Sequence, residues 1–168
     1  MALEVGTNSY ISVADATIYF EDRLYSDAWT SATDTTRAQA LIMATKRIDR
    51  VPVIGRKADS AQALSFPRAY AREATPIQNN VDYSYDLVPN YAAELATPRP
   101  ILEAVCEEAL ALLDRGSSAR TKLQQQGVTS ASVVGISESY ALGSGRGLLS
   151  QDARDLMTPY RAGAVPIC

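Results

Sequence analysis

The apolar residues of this chain recur at helical spacing in four segments, two of which lie in its N-terminal third. Ser12 is a good N-cap for a helix predicted over Val13–Leu24, and Thr33 or Asp34 caps a second helix. The polar connection between them contains Trp29, the one tryptophan of the chain. We expect this large ring to fill the gap between the two helices.

The third segment has the most apolar stripe and predicts the central helix of the fold. The pair Thr97 and Pro98 is a strong helix start, and Gly116 ends the segment. Ser150 then caps a short final helix over Gln151–Thr158. The stripe of the central helix consists of Leu102, Val105, Cys106, Ala109, Leu112 and Leu113.

After residue 127 the pattern changes from helical to extended. Residues 128–140 are rich in serine and β-branched residues, which favours one or two strands, with a possible hairpin turn near Gly135. The following stretch, Gly143–Gly147, is a flexible link. Because a small polar strand cannot form a stable core alone, this segment needs a sheet partner, which a neighbouring subunit could supply.

These elements predict a mainly α fold. It is a small bundle of about four helices with an extended strand or hairpin segment and a C-terminal arm. We assign residues 1–126 to the helical domain and residues 127–168 to the extended segment plus arm, within one structural unit. On this division, deletion of residues 148–168 is expected to leave a folded helical domain.

The absence of histidine excludes several function classes. No Ser-His-Asp or Cys-His nucleophile can form, and neither can an imidazole zinc site. The two cysteines are far apart: Cys106 falls in a helix stripe as a buried free thiol, and Cys168 is the last residue. We therefore expect no enzyme activity and no cofactor. The apolar runs are too short for a bilayer, so we expect no membrane partner and a place in a cytosol or in a particle assembled there.

The charges of the chain are segregated, although the net charge is only −3. From Arg37 to Lys57 there are six basic residues against Asp49 alone. Residues 73–114 contain eight acidic residues against Arg99 alone. Two such patches suit a head-to-tail contact between identical subunits. Equally, they could face each other within one fold or face solvent.

Two carboxylates of the central helix, Glu103 and Glu107, lie one turn apart. Paired carboxylates can serve catalysis or bind a metal, but no third ligand has a spacing that would help. We therefore expect both side chains on the outer, solvated face of the helix.

An ordered set of four short features runs through the first 68 residues. It begins with Tyr10-Ile11-Ser12 and continues with an Ala-rich second helix that ends near Ile48-Asp49. Gly55-Arg56-Lys57 and then Phe66-Pro67-Arg68 follow. The order resembles the N-terminal half of the head-to-tail adaptor (head completion) proteins of tailed bacteriophages, which often carry the label of a DnaT-like single-stranded DNA binder. The resemblance extends to a Val-Gly-Ile-Ser segment that ends at Tyr140.

The resemblance implies a structural role in the neck of a virion. Such proteins form a ring, commonly of about twelve subunits, beneath the portal protein. The ring extends the channel through which DNA passes without specific binding, and it contacts a stopper or tail-completion protein. Assembly in the cytoplasm of a host bacterium and a final position at the head–tail interface are implied in the same way.

Two sets of residues are candidates for these contacts. The first is a portal-docking arm, formed by Leu148, Leu149, Leu156, Met157, Tyr160, Val165 and Ile167. The second is a subunit interface, formed by Arg47, Arg50, Val133, Ile136 and Tyr140.

The alternative function is a single-stranded DNA-binding module. The basic stretch from Arg37 to Lys57 and the tyrosine and tryptophan residues favour it, because cations contact phosphates and aromatic rings stack on bases. However, the aromatic residues are not interleaved with the basic ones, and the acidic residues of 73–114 oppose DNA binding.

Overall fold

The computed structural model describes residues 2–71, 91–94, 96–115, 130–133, 136–139 and 147–162. This part of the chain is mainly helical, which confirms the predicted fold class. Its helices are α1 Val13–Glu21, α2 Asp27–Thr30, α3 Asp34–Ile48, α4 Arg99–Arg115 and α5 Gln151–Met157. Its strands are β1 Arg56–Lys57, β2 Arg68–Ala71, β3 Tyr91–Ala93, β4 Ser130–Val133 and β5 Ile136–Ser139.

Helix α1 begins as predicted, because the Ser12 hydroxyl accepts a hydrogen bond from the amide of Asp15. It ends at Glu21, three residues before the predicted end at Leu24. The predicted polar connection contains the one-turn helix α2. The Trp29 ring of α2 is buried and lies 4.7 Å from the Phe20 ring of α1, centroid to centroid. The guanidinium of Arg37 in α3 lies 5.6 Å from the centroid of the same ring, so the expectation that Trp29 fills the gap between α1 and α3 is confirmed.

Helix α4 is the central element, as predicted, since α3 and α5 both pack against it. Its buried face includes Ile101, Val105 and Ala109, which meet the buried Leu41 and Ile48 of α3. The buried thiol of Cys106 belongs to the same core, in agreement with the prediction. Burial of this apolar surface is the main contribution to the stability of the bundle.

Strands β1, β2 and β3 form a small antiparallel sheet in the order β1-β2-β3. Gly55 precedes β1 and has φ +76°, a conformation that L side chains rarely adopt. A Cβ atom at this position would lie 2.6 Å from the carbonyl oxygen of Ala69 in β2. The turn thus requires glycine for two reasons, backbone conformation and close approach of the strands.

Strands β4 and β5 form the predicted hairpin. They are antiparallel, and their register runs from Ser130 opposite Ser139 to Val133 opposite Ile136. Each strand supplies the sheet partner that the other needs.

The C-terminal segment packs differently from the predicted arm. Ser150 caps α5 as expected, and its hydroxyl accepts a hydrogen bond from the amide of Ala153. However, Leu148, Ala153 and Met157 lie buried in the same core as α1, α3 and α4. Because these apolar side chains complete the core, we expect deletion of residues 148–168 to destabilise the helical domain, contrary to the expectation from the sequence.

The residues that follow α5 are also held by the N-terminal half of the chain. A 3-10 turn, Thr158–Tyr160, leads to an antiparallel bridge between Val53 and Arg161. Backbone hydrogen bonds from Ile54 to Tyr160 and from Ala162 to Pro52, both 2.9 Å, flank this bridge. In the described part of the chain, no helix is both long enough and apolar enough to span a bilayer.

Candidate functional site

Glu107 of α4 is buried, contrary to the expectation that it and Glu103 would both lie on a solvated face. Glu107 is 4% exposed and accepts hydrogen bonds from the Tyr19 hydroxyl (2.8 Å) and from the Arg23 guanidinium, whose Nη2 lies 2.8 Å from Oε2. Burial, and then the bond to Glu107, raise the pKa of Tyr19 above its ordinary value. The Glu103 side chain is partly buried, with 24% of its surface exposed. Its Oε1 lies 2.7 Å from Nε of Arg99.

Glu108 joins three parts of the fold and has no exposed surface. Its Oε1 accepts hydrogen bonds from Arg47 Nη1 of α3 (2.8 Å) and from the amide of Leu149 (3.1 Å). Its Oε2 accepts one from the amide of Ser150 (3.0 Å) at the start of α5. The carboxylate therefore pairs with a cation and satisfies backbone donors at a helix N-terminus, which offsets its cost of burial.

The segregated charges could contact a neighbouring subunit, each other within one fold, or solvent. The Arg47–Glu108 ion pair shows that, for these two residues, the contact lies within one fold. A basic residue of the Arg37–Lys57 stretch here faces an acidic residue of the 73–114 stretch within one molecule. Arg47 was a candidate for a subunit interface, and its guanidinium is instead bound internally. Arg50, the other basic candidate, is exposed. Val133 and Ile136 lie in the paired ends of β4 and β5, while Tyr140 lies outside the described residues.

Three exposed cations form a surface that we call the basic rim: Lys46, Arg50 and Arg161. Lys46 and Arg50 are one turn apart at the C-terminal end of α3, where cations are favoured. Arg161 is brought close to this end by its bridge to Val53, three residues after Arg50. Within the described ranges, none of the three has a carboxylate partner. The rim is therefore free to contact an anionic group.

A second surface is a groove of about 660 Å³ between α1, the start of α4 and α5. We call it the acidic groove. Its carboxylates outnumber its one guanidinium, and the remaining lining is largely apolar. It is formed by Tyr19, Arg23, Pro100, Glu103, Glu107, Asp152, Asp155, Leu156 and Pro159.

Large apolar side chains are exposed next to this groove. Leu24 is 77% exposed and Tyr25 is 87% exposed, and the carbonyl of Leu24 accepts a hydrogen bond from Arg23 of the groove. Tyr25 has φ +59°, which is uncommon for a residue with a side chain. Exposed apolar groups beside a groove are typical of a protein–protein contact surface.

The remaining docking-arm candidates are divided among several environments. Leu149, Leu156 and Tyr160 are half-buried, and Leu156 lines the acidic groove. The Tyr160 ring packs edge-to-face on Phe66 at 5.6 Å. Leu148 and Met157 are core residues, so their side chains offer almost no surface to a partner in this conformation. Val165 and Ile167 lie outside the described residues.

The sequence analysis did not identify Arg23, Glu107 and Glu108 as interacting residues. One signal was present: Glu107 and Glu108 are adjacent on a helix whose flanking positions are apolar. Adjacent helical positions are about 100° apart, so a helix that packs against neighbours on several sides leaves little room for both side chains to face solvent. The partners of Glu107 and Glu108 lie 41 to 88 positions away in sequence, beyond the reach of local patterns.

The one described cysteine is buried and is not a reactive thiol. Burial raises the pKa of the Cys106 thiol to about 12, so it is protonated and unreactive at neutral pH. Among the described residues, no three acidic or thiol groups are placed to hold a metal ion. The described residues thus form a small, mainly helical fold with one basic and one acidic surface.

The chain matches the family model described as "Putative DnaT-like ssDNA binding protein" over residues 2–165. It therefore belongs to that family. Searches of curated proteins and of solved structures find no significant match.

Proposed function

We propose that this protein binds single-stranded DNA through contacts to the phosphate backbone. The observation that carries the proposal is the basic rim, Lys46, Arg50 and Arg161, whose cations have no carboxylate partner within the described part of the chain. The description of the family to which the chain belongs names the same ligand. Cations of this kind bind nucleic acids by displacing counterions from phosphates.

The aromatic residues contribute little to this mode of binding. Tyr160 is half-buried against Phe66, so its ring is not available as a stacking platform. Tyr25 is exposed but is followed closely by Asp27 and preceded by Glu21 and Asp22, whose charges repel phosphates. Binding is therefore electrostatic, independent of base sequence and sensitive to salt.

The test measures the affinity for a labelled oligothymidine by fluorescence anisotropy over a series of salt concentrations. For single strands, each phosphate contact contributes about 0.7 to the slope of log K against log salt. The double variant Lys46→Ala/Arg50→Ala should therefore lower the magnitude of the slope by about 1.4.

The matched control is Arg99→Ala/Arg115→Ala, which removes the same charge from two exposed arginines elsewhere. These arginines already pair with Glu103 and Asp114, so the control should keep the slope of the unaltered protein. The proposal fails if the protein does not bind at low salt, or if both double variants change the slope equally.

A second candidate function is the head-to-tail adaptor of a tailed phage. The observation that favours it is the position of the residues that carry the sequence resemblance. Tyr10 donates a hydrogen bond to Asp49 at the end of α3, and its hydroxyl accepts one from the amide of Phe66 (3.0 Å). Arg68 donates to the carbonyls of Ile54 (2.9 Å) and Gly55. These four features thus form one connected cluster, as expected if they specify a shared fold.

Electron microscopy of the purified protein, with and without the portal protein, tests this second candidate. A closed collar on the portal is the expected image. Single copies along bare single-stranded DNA, with no collar on the portal, would contradict the adaptor function and agree with the first proposal.

A further inference from the structure

We propose that Arg68 is a positioning residue of the basic rim, because its buried guanidinium fixes the segment that holds Arg161 in place. The inference rests on the proposed DNA binding, and it assigns Arg68 no contact with DNA of its own. The effect of Arg68 on binding passes through the backbone of residues 52–55, which lies between Arg68 and the residues that follow α5.

The guanidinium of Arg68 binds backbone carbonyls on both sides of a chain reversal. Arg68 lies on β2 and is 8% exposed. Its Nε is 2.9 Å from the oxygen of Ile54, and its Nη2 donates to the oxygens of Val53 (3.5 Å) and Gly55. Its Nη1 is 3.3 Å from the oxygen of Ser65. Because a guanidinium is planar and its donors point in fixed directions, it holds the three consecutive carbonyls in one arrangement.

The same segment pairs with the residues that follow α5. Three backbone contacts join residues 52–54 to residues 160–162. They are the Val53–Arg161 bridge, the Ile54-to-Tyr160 hydrogen bond (2.9 Å) and the Ala162-to-Pro52 hydrogen bond (2.9 Å). The peptide groups of residues 52–55 are thus divided between Arg68 and the C-terminal segment. Each set of bonds holds the segment in the place that the other set requires.

Hydrogen bonds fix this segment because apolar burial contributes little to it. Pro52, Ile54 and Gly55 are exposed, and 42% of the surface of Ile54 is accessible. A segment with few buried apolar contacts opens locally when its hydrogen bonds are weakened. Loss of the Arg68 guanidinium should therefore release the segment and, with it, the bridge that places Arg161.

Only one cation of the basic rim depends on Arg68 in this way. Lys46 lies within α3 and Arg50 lies in the turn that ends it, so the helix itself places both of them. Arg161 follows the 3-10 turn after α5, and its bridge to Val53 brings it close to the end of α3. Removal of Arg68 should therefore cost the rim the phosphate contact of Arg161 and leave the other two contacts in place.

The test is a double-mutant cycle that uses Arg68→Lys. Lysine keeps the charge, but its ammonium group cannot reach the same carbonyls in the same directions. The salt dependence of the affinity for oligothymidine is measured for Arg68→Lys, for Arg161→Ala and for the two combined. Each single variant should lower the magnitude of the slope by about 0.7, and the combination should lower it no further. Lys46→Ala added to Arg68→Lys should still lower it by about another 0.7.

The matched control is Arg37→Lys. The Arg37 guanidinium also donates to two backbone carbonyls, those of Trp29 and Thr30, both at 2.9 Å. However, Arg37 lies near the start of α3, at the opposite end of the helix from the rim. Both lysine variants lose guanidinium–carbonyl bonds, so urea unfolding should show that both are less stable. Only Arg68→Lys should change the salt slope.

Hydrogen–deuterium exchange tests the position of Arg161 without DNA. The amides of Ile54 and Ala162 donate the two hydrogen bonds that flank the Val53–Arg161 bridge. Both amides should exchange at least about tenfold faster in Arg68→Lys than in the unaltered protein. In Arg37→Lys they should exchange at the rate of the unaltered protein.

A second variant, Ala162→Pro, breaks the same pairing while Arg68 stays in place. It removes the amide that donates to Pro52, and the extended backbone of Arg161, with ψ 135°, is compatible with a following proline. It should also lower the slope by about 0.7 and leave Arg161→Ala without further effect. If Arg68→Lys does not unfold cooperatively, the cycle with Ala162→Pro decides the question.

The inference is overturned if Arg161→Ala lowers the slope equally with and without the second substitution. It is also overturned if the amides of Ile54 and Ala162 exchange equally fast in Arg68→Lys and Arg37→Lys. Either result, in a protein that binds oligothymidine, leaves the DNA-binding proposal intact. If the unaltered protein does not bind oligothymidine, the proposed function fails, and amide exchange alone decides whether Arg68 holds Arg161 in place.

Discussion

Replacement of Glu108 by Gln tests whether this buried carboxylate holds the C-terminal segment to the helical core. Glu108 has no exposed surface and accepts three hydrogen bonds, from Arg47, Leu149 and Ser150, at 2.8, 3.1 and 3.0 Å. Glutamine keeps the shape of the side chain but has one acceptor oxygen and one amide donor. The new amide would point toward a group that also donates, so at least one buried donor loses its partner.

The expected cost follows from the nature of these bonds. A hydrogen bond to a charged group contributes about 1.5–3 kcal/mol, and removal of one partner from a buried ion pair costs about 3–5 kcal/mol. Arg47 is 22% exposed and can be partly solvated after the change, which favours the lower end of that range. We expect a loss of about 3 kcal/mol, or a fall in Tm of roughly 6–12 °C for a chain of this size.

Thermal and urea unfolding, followed by circular dichroism, measure this loss. The matched control is Glu103→Gln on the same helix, which removes an i,i+4 pair with the exposed Arg99. That pair should contribute no more than about 0.5 kcal/mol. If Glu108→Gln unfolds at the same temperature as Glu103→Gln, the carboxylate does not stabilise the junction and the reasoning is refuted.

Three further changes test other parts of the fold. Gly55→Ala should destabilise by about 2 kcal/mol or more in urea unfolding, because its Cβ meets a carbonyl at 2.6 Å. Gly6→Ala, also at positive φ but in open space, should cost only about 1 kcal/mol; equal losses would contradict the steric argument. Because burial raises the pKa of the Cys106 thiol to about 12, its stabilising contribution is full below about pH 9 and is lost as pH rises toward 12. The urea midpoint of the unaltered protein should fall over that pH range, and the midpoint of Cys106→Ala should fall less steeply. Equal slopes for the two proteins would contradict this prediction. Deletion of residues 148–168 should abolish cooperative unfolding, and a cooperative transition would show that the core forms without them.

The sequence predicted the elements whose signals are local. Ser12, Thr33 and Ser150 each cap a helix that begins where expected, because a cap needs only an amide two or three residues away. The central position of α4 followed from its apolar stripe, and the β4–β5 hairpin followed from its β-branched residues and short connection. These features depend on neighbours along the chain.

The features that the sequence did not predict depend on distant partners. The one-turn helix α2 is too short to show a period, and its position is fixed by the burial of Trp29 against Phe20. The pairing of Val53 with Arg161 joins residues more than a hundred positions apart. No local pattern can indicate such a bridge, and for this reason the C-terminal segment was interpreted as an arm instead of as part of the core.

The sequence also does not show which charges pair with distant partners in the fold, and the proposed function depends on the charges that stay unpaired. The segregation of basic and acidic residues in sequence includes Arg47 and Glu108, which neutralise each other inside one molecule. Only charges that the fold leaves unpaired can bind a partner, and at the C-terminal end of α3 these are, among the described residues, Lys46 and Arg50. Under the proposed DNA binding, these two cations and Arg161 contact the phosphates, whereas Arg47 does not, because its guanidinium already pairs with the buried Glu108.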